Sequence, residues 1–261
     1  MPPTAPEDRG ANPSGRIDAL IERRSRAGVF LDFDGTLSEI APRPDAARPV
    51  AGAAGVLARL AERFALVAIV SGRPATDVRS MLDIPGVLVL GHYGLESASD
   101  DSGDESIAVV RGQVEAAVSV EPGVWVEDKG RSVAVHARGT DNPDAALAAV
   151  RPELERIAGA HGLLVLSGKM VLELAPAATP GKGAVVAREV RARGLRACLF
   201  AGDDVADLAA FSALDELAAD GVVTVKVAVD GAETPAALEA AADEVVGSPQ
   251  GLVRFLERLA G

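Results

Sequence analysis

Two carboxylates separated by one residue, Asp32 and Asp34, follow the short apolar segment Gly28-Val29-Phe30-Leu31. An apolar segment of this length, bounded by glycine, is typical of a buried β-strand. Because alternate side chains of an extended chain point to the same side, both carboxylates would lie together, and their repulsion requires a metal ion, a shared proton or a cation. The pair predicts metal-assisted or acid–base chemistry. The alternative is that these acids end the strand and cap the next helix.

A phosphate group is the ligand that two later features favour. Ser71-Gly72-Arg73 follows the second predicted strand, residues 64–70, and a hydroxyl followed by glycine can come close to a phosphate, which the arginine can bind through two hydrogen bonds. Lys182 stands just before a predicted helix, residues 184–193, where a cation is electrostatically misplaced unless it faces an anion. The alternatives are an ordinary Ser-Gly turn and a solvated surface lysine.

Three further carboxylates, Asp203, Asp204 and Asp207, follow another predicted strand, residues 196–201. Carboxylates gathered at a strand end are costly without a cation, and oxygen ligands are those that Mg²⁺ prefers. Asp204 can also cap a helix and Asp207 can pair with the helix dipole, and these roles are compatible with a metal site. The segment therefore adds to the prediction of a cation site.

The elements that would position these residues alternate between strand and helix. This alternation in residues 16–98 and 175–261 predicts an α/β fold, a Rossmann-like core with a parallel sheet. Open parallel sheets place their ligands at the carboxyl ends of the strands, which is where the acids, the serine and the lysine are expected. Residues 1–15 are rich in proline, glycine and polar residues and predict a disordered leader.

Residues 99–174 lack the strand–helix alternation of the segments on either side and predict an inserted α+β cap domain. They contain two predicted strand pairs, residues 124–136 and 163–174, separated by a helix over 142–161. Ser99 to Ser106 is acidic and polar and is interpreted as a surface turn.

Composition excludes several classes of protein. The chain has 261 residues, a net charge of −12 and one cysteine, so it is large enough for a sizeable core and can form no internal disulfide. The negative charge argues against general nucleic-acid binding, and an anionic substrate would need locally concentrated cations. The lack of an 18-residue apolar run and of an apolar signal core predicts no membrane association and a cytoplasmic protein. The oligomeric state stays open.

The segment Asp32-Phe33-Asp34-Gly35-Thr36, followed in order by Ser71, Lys182 and Gly202-Asp203-Asp204, resembles the signatures of the haloacid-dehalogenase-like phosphatases. The resemblance implies a nucleophile at Asp32 and an acid/base at Asp34. It implies Mg²⁺ held by Asp32, the backbone carbonyl of Asp34 and Asp203, with Asp207 in support. Ser71 and Lys182 would hold the phosphoryl oxygens.

A narrower resemblance, over roughly residues 27–258, is to the trehalose-6-phosphate phosphatases. It is carried by the core motifs and by cap residues, namely Glu127-Asp128-Lys129-Gly130, His136 and Met170-Val171-Leu172-Glu173. It implies a small sugar phosphate as the substrate, with Glu127, Lys129 and Glu173 on the sugar hydroxyls, and it places Gly72, Arg73 and His136 among the substrate-binding residues. For each cap charge the alternative is a solvated face of a small sheet.

The chain departs from the family at Ala175, where Arg is common, and at Ala206 and Leu208, where Thr and Glu are common. These positions flank the catalytic ones and bear on substrate detail and on the metal surroundings. Two other functions stay open: a phosphatase of another sugar phosphate, and a non-catalytic binding domain, which should have lost one of the core motif residues. A phosphomutase is disfavoured because its cap usually follows the first motif, and residues 38–50 are too short for one.

Overall fold

The computed structural model describes residues 13–95 and 105–261 of the chain. Two sheets contain all the strands of these residues: a six-stranded parallel sheet and a four-stranded antiparallel sheet. The strands are β1 Ala27–Leu31, β2 Leu66–Val70, β3 Val87–Leu90, β4 Trp125–Asp128, β5 Val133–His136, β6 Leu163–Gly168, β7 Val171–Pro176, β8 Ala197–Gly202, β9 Val223–Val229 and β10 Glu244–Val246. The helices are α1 Pro13–Glu22, α2 Ala53–Arg63, α3 Ala75–Met81, α4 Glu105–Val118, α5 Pro143–Ala160, α6 Gly181–Ala192, α7 Leu208–Ala219, α8 Ala236–Ala241 and α9 Pro249–Ala260.

The parallel sheet has the strand order β10-β9-β8-β1-β2-β3, which confirms the predicted Rossmann-like core. β1 pairs with β2 on one side and with β8 on the other, and all three strands are fully buried. From β1 the chain therefore continues to β2 on one side, and after the cap it returns to β8 on the other side of β1. Such a reversal opens a crevice at the carboxyl end of β1, where α/β proteins bind ligands.

Helices cover both faces of the parallel sheet and fix the positions of its strand ends. One apolar cluster joins the sheet to α1, α2 and α9, and it includes Val56, Leu57 and Leu60, the positions predicted to face the core. The other joins the sheet to α6 and α7, where Phe200 and Phe211 meet edge to face. At about 25 cal/mol per Å² of buried apolar surface, these two layers supply most of the stabilisation that keeps the site rigid.

The antiparallel sheet, in the order β4-β5-β7-β6, forms the predicted α+β cap with α4 and α5. Helix α4 was not predicted, and the interpretation of Ser99 to Ser106 as a turn was wrong for its last two residues, which begin this helix. Residues 96–104 lie outside the described part. The signal for α4 was present in the helical spacing of Ile107, Val110 and Val114, all buried against the cap sheet.

Three smaller differences concern boundaries. The predicted leader, residues 1–15, lies outside the described residues except for 13–15, which open α1. Strand β7 continues to Pro176, two residues beyond the predicted end of the cap, because Ala175 and Pro176 pair with β6. Helix α6 begins at Gly181, so that Lys182 lies in its first turn. Within residues 13–95 and 105–261, no helix is both long and apolar enough to span a bilayer.

Candidate active site

Asp32 and Asp34 lie at the carboxyl end of β1, as predicted. The backbone N–H of Asp32 continues the sheet by donating to the carbonyl of Ala201, and the chain then turns sharply at Gly35, whose φ is +79°. Asp32 is 5% exposed, whereas the side chain of Asp34 is 40% exposed. The two carboxylates therefore share a location but differ in environment: Asp32 is enclosed by protein and Asp34 faces the opening.

Lys182 bridges two of the predicted carboxylates. Its Nζ lies 2.8 Å from Asp32 Oδ1 and 2.6 Å from Asp207 Oδ1, and the side chains of all three residues are buried. Although burial opposes the charge of the ammonium, Asp207 and Asp32 raise the pKa of Lys182 well above its usual range. Lys182 is therefore a fixed positive charge beside Asp32, and the alternative of a solvated lysine is wrong.

Asp207 positions Lys182. While Oδ1 accepts from the lysine, Oδ2 accepts from the backbone N–H groups of Asp203 and Asp204, each at 2.9 Å. Both oxygens thus accept from protein donors, and the side chain is completely buried. This agrees with a supporting place for Asp207 next to a cation site, since its oxygens already hold Lys182 and the turn after β8.

Asp203 is held by groups from both parts of the molecule. Its Oδ1 accepts from Thr36 Oγ1 at 3.0 Å, and its Oδ2 accepts at 2.7 Å from Lys169 Nζ, which comes from the turn between β6 and β7 of the cap. Burial raises the pKa of Asp203 to about 6, although Lys169 opposes the shift. Lys169 was missed in the sequence, where the only signal was its place directly before the Met170-Glu173 motif.

Ser71 and Arg73 follow β2 as predicted, but Arg73 has different partners from those expected. Ser71 is 1% exposed, and its Oγ accepts from the backbone N–H of Arg73. The guanidinium of Arg73 donates to both carboxylate oxygens of Asp34, at 2.6 and 2.7 Å, and to the carbonyl of Pro44 at 2.8 Å. The pairing of Arg73 with Asp34 was not predicted, and the binding of a phosphate by Arg73 stays a prediction.

Gly72 allows the core to meet the cap. A Cβ at this position would lie 2.6 Å from the Tyr93 ring and hydroxyl, so only glycine leaves room for that side chain. The carbonyl of Gly72 accepts from Lys129 Nζ of the cap at 3.3 Å. His92 and Tyr93 both have positive φ, 46° and 54°, an uncommon conformation for such residues that turns this loop towards the cap.

Glu173 and Lys129 form a buried pair on the cap side. Lys129 Nζ lies 2.7 Å from Glu173 Oε2, and Glu173, only 2% exposed, also accepts from Ser132 Oγ at 2.5 Å and from the Tyr93 hydroxyl at 3.4 Å. The alternative of a solvated charged face is therefore wrong for both residues. The pair lies against the core loop and lines the cavity between the two sheets.

Glu127 and His136 form the other polar pair of the cap. His136 Nε2 lies 2.8 Å from Glu127 Oε2, and the imidazole stacks on Trp125 with ring centroids 4.1 Å apart. Burial would raise the pKa of Glu127, but the hydrogen bond with His136 and the charge of Lys129 bring it below its usual range. Arg43, from the loop after β1, lies over the Trp125 ring and adds a contact between core and cap.

One cavity of about 160 Å³ lies between these core and cap residues. Every residue predicted to bind or transform a substrate lines it. Core residues of the lining include Asp32, Asp34, Ser71, Gly72, Arg73, Lys182, Asp203 and Asp204, and cap residues include Glu127, Lys129, His136, Arg138, Lys169 and Glu173. The departure at Ala206 also lies on this wall, whereas Ala175 is buried and lies outside it.

The site has the donors that a divalent cation requires. Carboxylate oxygens of Asp32, Asp203 and Asp207 lie within 4.8 Å of one another, and all three are buried. Gly35 belongs to this cradle, because a Cβ on it would lie 2.0 Å from Asp203 Oδ2. Burial raises the pKa of Asp32 well above its usual range; the charge of Lys182 opposes the shift, and the charges of Asp207 and Asp203 add to it. Hard oxygen ligands of this kind fit Mg²⁺.

The fold is that of the haloacid dehalogenase-like hydrolases. A haloacid dehalogenase-like hydrolase from Bacteroides thetaiotaomicron has the same fold, with a TM-score of 0.62 at 15% identity over 89% of this chain and 99% of that one. The model of the trehalose-phosphatase family matches residues 30–245. The chain belongs to the trehalose-phosphatase family.

Two relatives support this assignment. A trehalose-phosphate phosphatase of Mycobacterium avium is 38% identical over 266 residues, which cover 95% of this chain and 65% of the relative. The chain thus spans about two thirds of the length of that relative. A solved structure, described as a trehalose-6-phosphate phosphatase related protein, has a TM-score of 0.69 at 26% identity over 89% of this chain and 96% of that one.

Proposed function

We propose that this chain hydrolyses trehalose 6-phosphate to trehalose and inorganic phosphate. The observation that carries the proposal is the opposition, across one cavity, of a buried Asp32–Lys182 pair and a set of polar cap side chains that includes Glu127 and Lys129. The Asp32–Lys182 pair suits a phosphoryl group, and the cap side chains suit a polyhydroxylated leaving group. The family membership and the names of its relatives point to the same substrate.

In the first step, an Asp32 oxygen attacks phosphorus, the bond between phosphorus and the sugar oxygen breaks, and an aspartyl-phosphate forms. Lys182 and Ser71 hold the phosphoryl oxygens as charge spreads over them, and the lysine reduces the repulsion between the carboxylate and the phosphate dianion. Asp34, whose side chain is 40% exposed at the open side of Asp32, takes up a proton from solvent before this step and donates it to the departing sugar oxygen.

In the second step, water attacks the phosphorus of the aspartyl-phosphate. Asp34 accepts a proton from this water, the bond between phosphorus and Asp32 breaks, and phosphate leaves with the carboxylate restored. Mg²⁺, held by Asp32, Asp203 and the backbone carbonyl of Asp34, would supply positive charge that offsets the negative charge of the phosphoryl group. Asp207 takes part by holding Lys182 and the turn that carries Asp203.

The cap supplies specificity by closing the sugar into the cavity. Glu127, Lys129 and Glu173 line the cap wall, and a site that hydrogen-bonds a hydroxyl loses about 1–3 kcal/mol when one partner is removed. That loss corresponds to a factor of about 5–150 in kcat/KM. Closure also excludes water during the first step, before the leaving group has departed.

The test is a phosphate-release screen with and without Mg²⁺. The panel contains trehalose 6-phosphate, sucrose 6-phosphate, glucose 6-phosphate and an aryl phosphate, and the expected result is a clear preference for trehalose 6-phosphate that chelation abolishes. Asp32→Asn should remove all turnover, while Asp83→Asn, at an exposed position away from the cavity, serves as the matched control. A preference for another sugar phosphate would overturn the substrate, and full activity in excess chelator would overturn the role of the metal.

A further inference from the structure

Arg73 is fixed at both ends and directed at Asp34. Its Nε and Nη2 donate to the two oxygens of Asp34, and its Nη1 donates to the carbonyl of Pro44. Its backbone N–H donates to Ser71 Oγ, and its carbonyl accepts from the N–H of His92. The guanidinium also lies over the buried Phe33 ring at 5.6 Å. Few conformations are therefore open to this side chain, although Asp34 itself is half exposed.

The contacts of Arg73 connect Asp34 to the wall that a leaving group would meet. Pro44 belongs to the loop after β1, which lines the cavity with Ile40, Ala41 and Pro42. A guanidinium with two parallel hydrogen bonds fixes the plane of a carboxylate as well as its position, which an ammonium cannot do. The same side chain thus sets the orientation of Asp34 relative to this loop.

We infer that Arg73 is the positioning residue of Asp34, and that it acts on the proton transfers at the leaving group and at the attacking water rather than on phosphate binding. The inference rests on the proposed function, because it assigns Asp34 the proton transfers. Proton transfer by a placed side chain contributes about 10²–10⁴-fold. When Arg73 no longer holds Asp34, part of this rate factor should be lost, and the loss should be largest for substrates with poor leaving groups.

The experiment compares Arg73→Lys and Arg73→Gln with the wild type on aryl phosphates of graded leaving-group pKa and on an alkyl phosphate. Inhibition by inorganic phosphate is measured in parallel. Arg156→Ala is the matched control, since Arg156 forms a similar two-bond pair with Glu153 on the exposed surface of α5. Thermal unfolding of each variant checks that it is folded.

The expected result is a fall of about 100-fold in kcat on the alkyl phosphate in both variants, with a much smaller fall in the first-turnover release of a good aryl leaving group. The inhibition constant of inorganic phosphate should change by less than about threefold, since Arg73 is bound to Asp34 and not to the phosphate. The dependence of rate on leaving-group pKa should become steeper.

Three results would overturn the inference. A parallel loss of phosphate affinity and of rate on every substrate would make Arg73 a phosphate ligand. A wild-type profile for Arg73→Lys would show that a positive charge suffices without the two-bond geometry. Wild-type rates in both variants would show that Asp34 needs no support from Arg73. The outcome is independent of the sugar, because a wild type that prefers another phosphate monoester still allows the aryl and alkyl comparison.

Discussion

Replacing Asp207 by Asn tests how the site holds its lysine. The substitution preserves the size of a fully buried side chain but replaces one acceptor oxygen by an amide donor. If the amide oxygen stays with the N–H groups of Asp203 and Asp204, the new NH₂ faces Lys182 Nζ, donor against donor. If the side chain is turned over, the NH₂ faces the two backbone N–H groups instead. Either orientation loses hydrogen bonds that are now 2.6–2.9 Å long.

The size of the effect follows from these contacts. Removing one partner of a buried ion pair costs about 3–5 kcal/mol, and Lys182 retains Asp32 as a partner, so we expect the lower value, about 3 kcal/mol. This is a large part of the roughly 5–15 kcal/mol by which a protein is stable. For a chain of this size, such a loss lowers the melting temperature by about 6–12 °C.

Thermal unfolding in chelator, followed by circular dichroism, measures this loss, and Asp204→Asn is the control. Asp204 lies in the same turn and accepts from the N–H of Val205 and, at 3.3 Å, from the N–H of Lys169; Asn keeps one acceptor oxygen for the capping bond, so its variant should lose about 1 kcal/mol, well below the loss in Asp207→Asn. Asp207→Asn should also reduce turnover, because Lys182 is no longer held. Equal melting temperatures for the two variants would refute the reasoning.

Four other predictions follow from the structure. Mg²⁺ affinity, measured by calorimetry, should weaken as the pH falls through about 6, because burial raises the pKa of Asp203 to about 6 and only the carboxylate binds a cation; a flat profile from pH 7 to 5 would contradict this. Gly35→Ala should lower both the melting temperature and the rate, since its φ is +79° and the added Cβ would lie 2.0 Å from an Asp203 oxygen; a fully active, equally stable variant would show that Asp203 can move aside. Glu127→Ala should lose about 5- to 150-fold in kcat/KM on trehalose 6-phosphate and almost nothing on an aryl phosphate. Asp128→Ala, at an exposed neighbouring position, is the control. An equal loss on both substrates would indicate an effect on folding or closure. Asp34→Asn should still release a good aryl leaving group in its first turnover but should not transfer the phosphoryl group of a sugar phosphate, because a good leaving group needs little protonation; equal losses in the first turnover would count against its acid role.

The site residues that could be predicted from the sequence are those that stand at the ends of strands. Asp32, Ser71 and Asp203 each follow a buried apolar strand, and parallel pairing of β1 with β2 and β8 brings these ends to one edge. Lys182 joins them because α6 packs on the same sheet and places its first turn beside Asp32. Order along the chain and strand periodicity, together with the family resemblance of the motifs, led to this inference.

The remaining features depend on long-range partners that periodicity does not encode. The pairing of Arg73 with Asp34 and Pro44, 39 and 29 residues away, was not predicted. Lys169 reaches Asp203 only because the cap folds back over the core, 34 residues distant in sequence. Helix α4 was missed for a different reason. It follows an acidic, polar segment and contains Gly112, and both features weaken the helical signal of its apolar residues.

The most direct test of the central claim is acid-quenched mass spectrometry during turnover of trehalose 6-phosphate with Mg²⁺. We predict that phosphate is found on Asp32 at early times, disappears as free phosphate accumulates, and is absent from Asp32→Asn, which releases no phosphate. Turnover of trehalose 6-phosphate without phosphorylation of Asp32 would contradict the mechanism, and the absence of turnover while another sugar phosphate labels Asp32 would contradict the substrate.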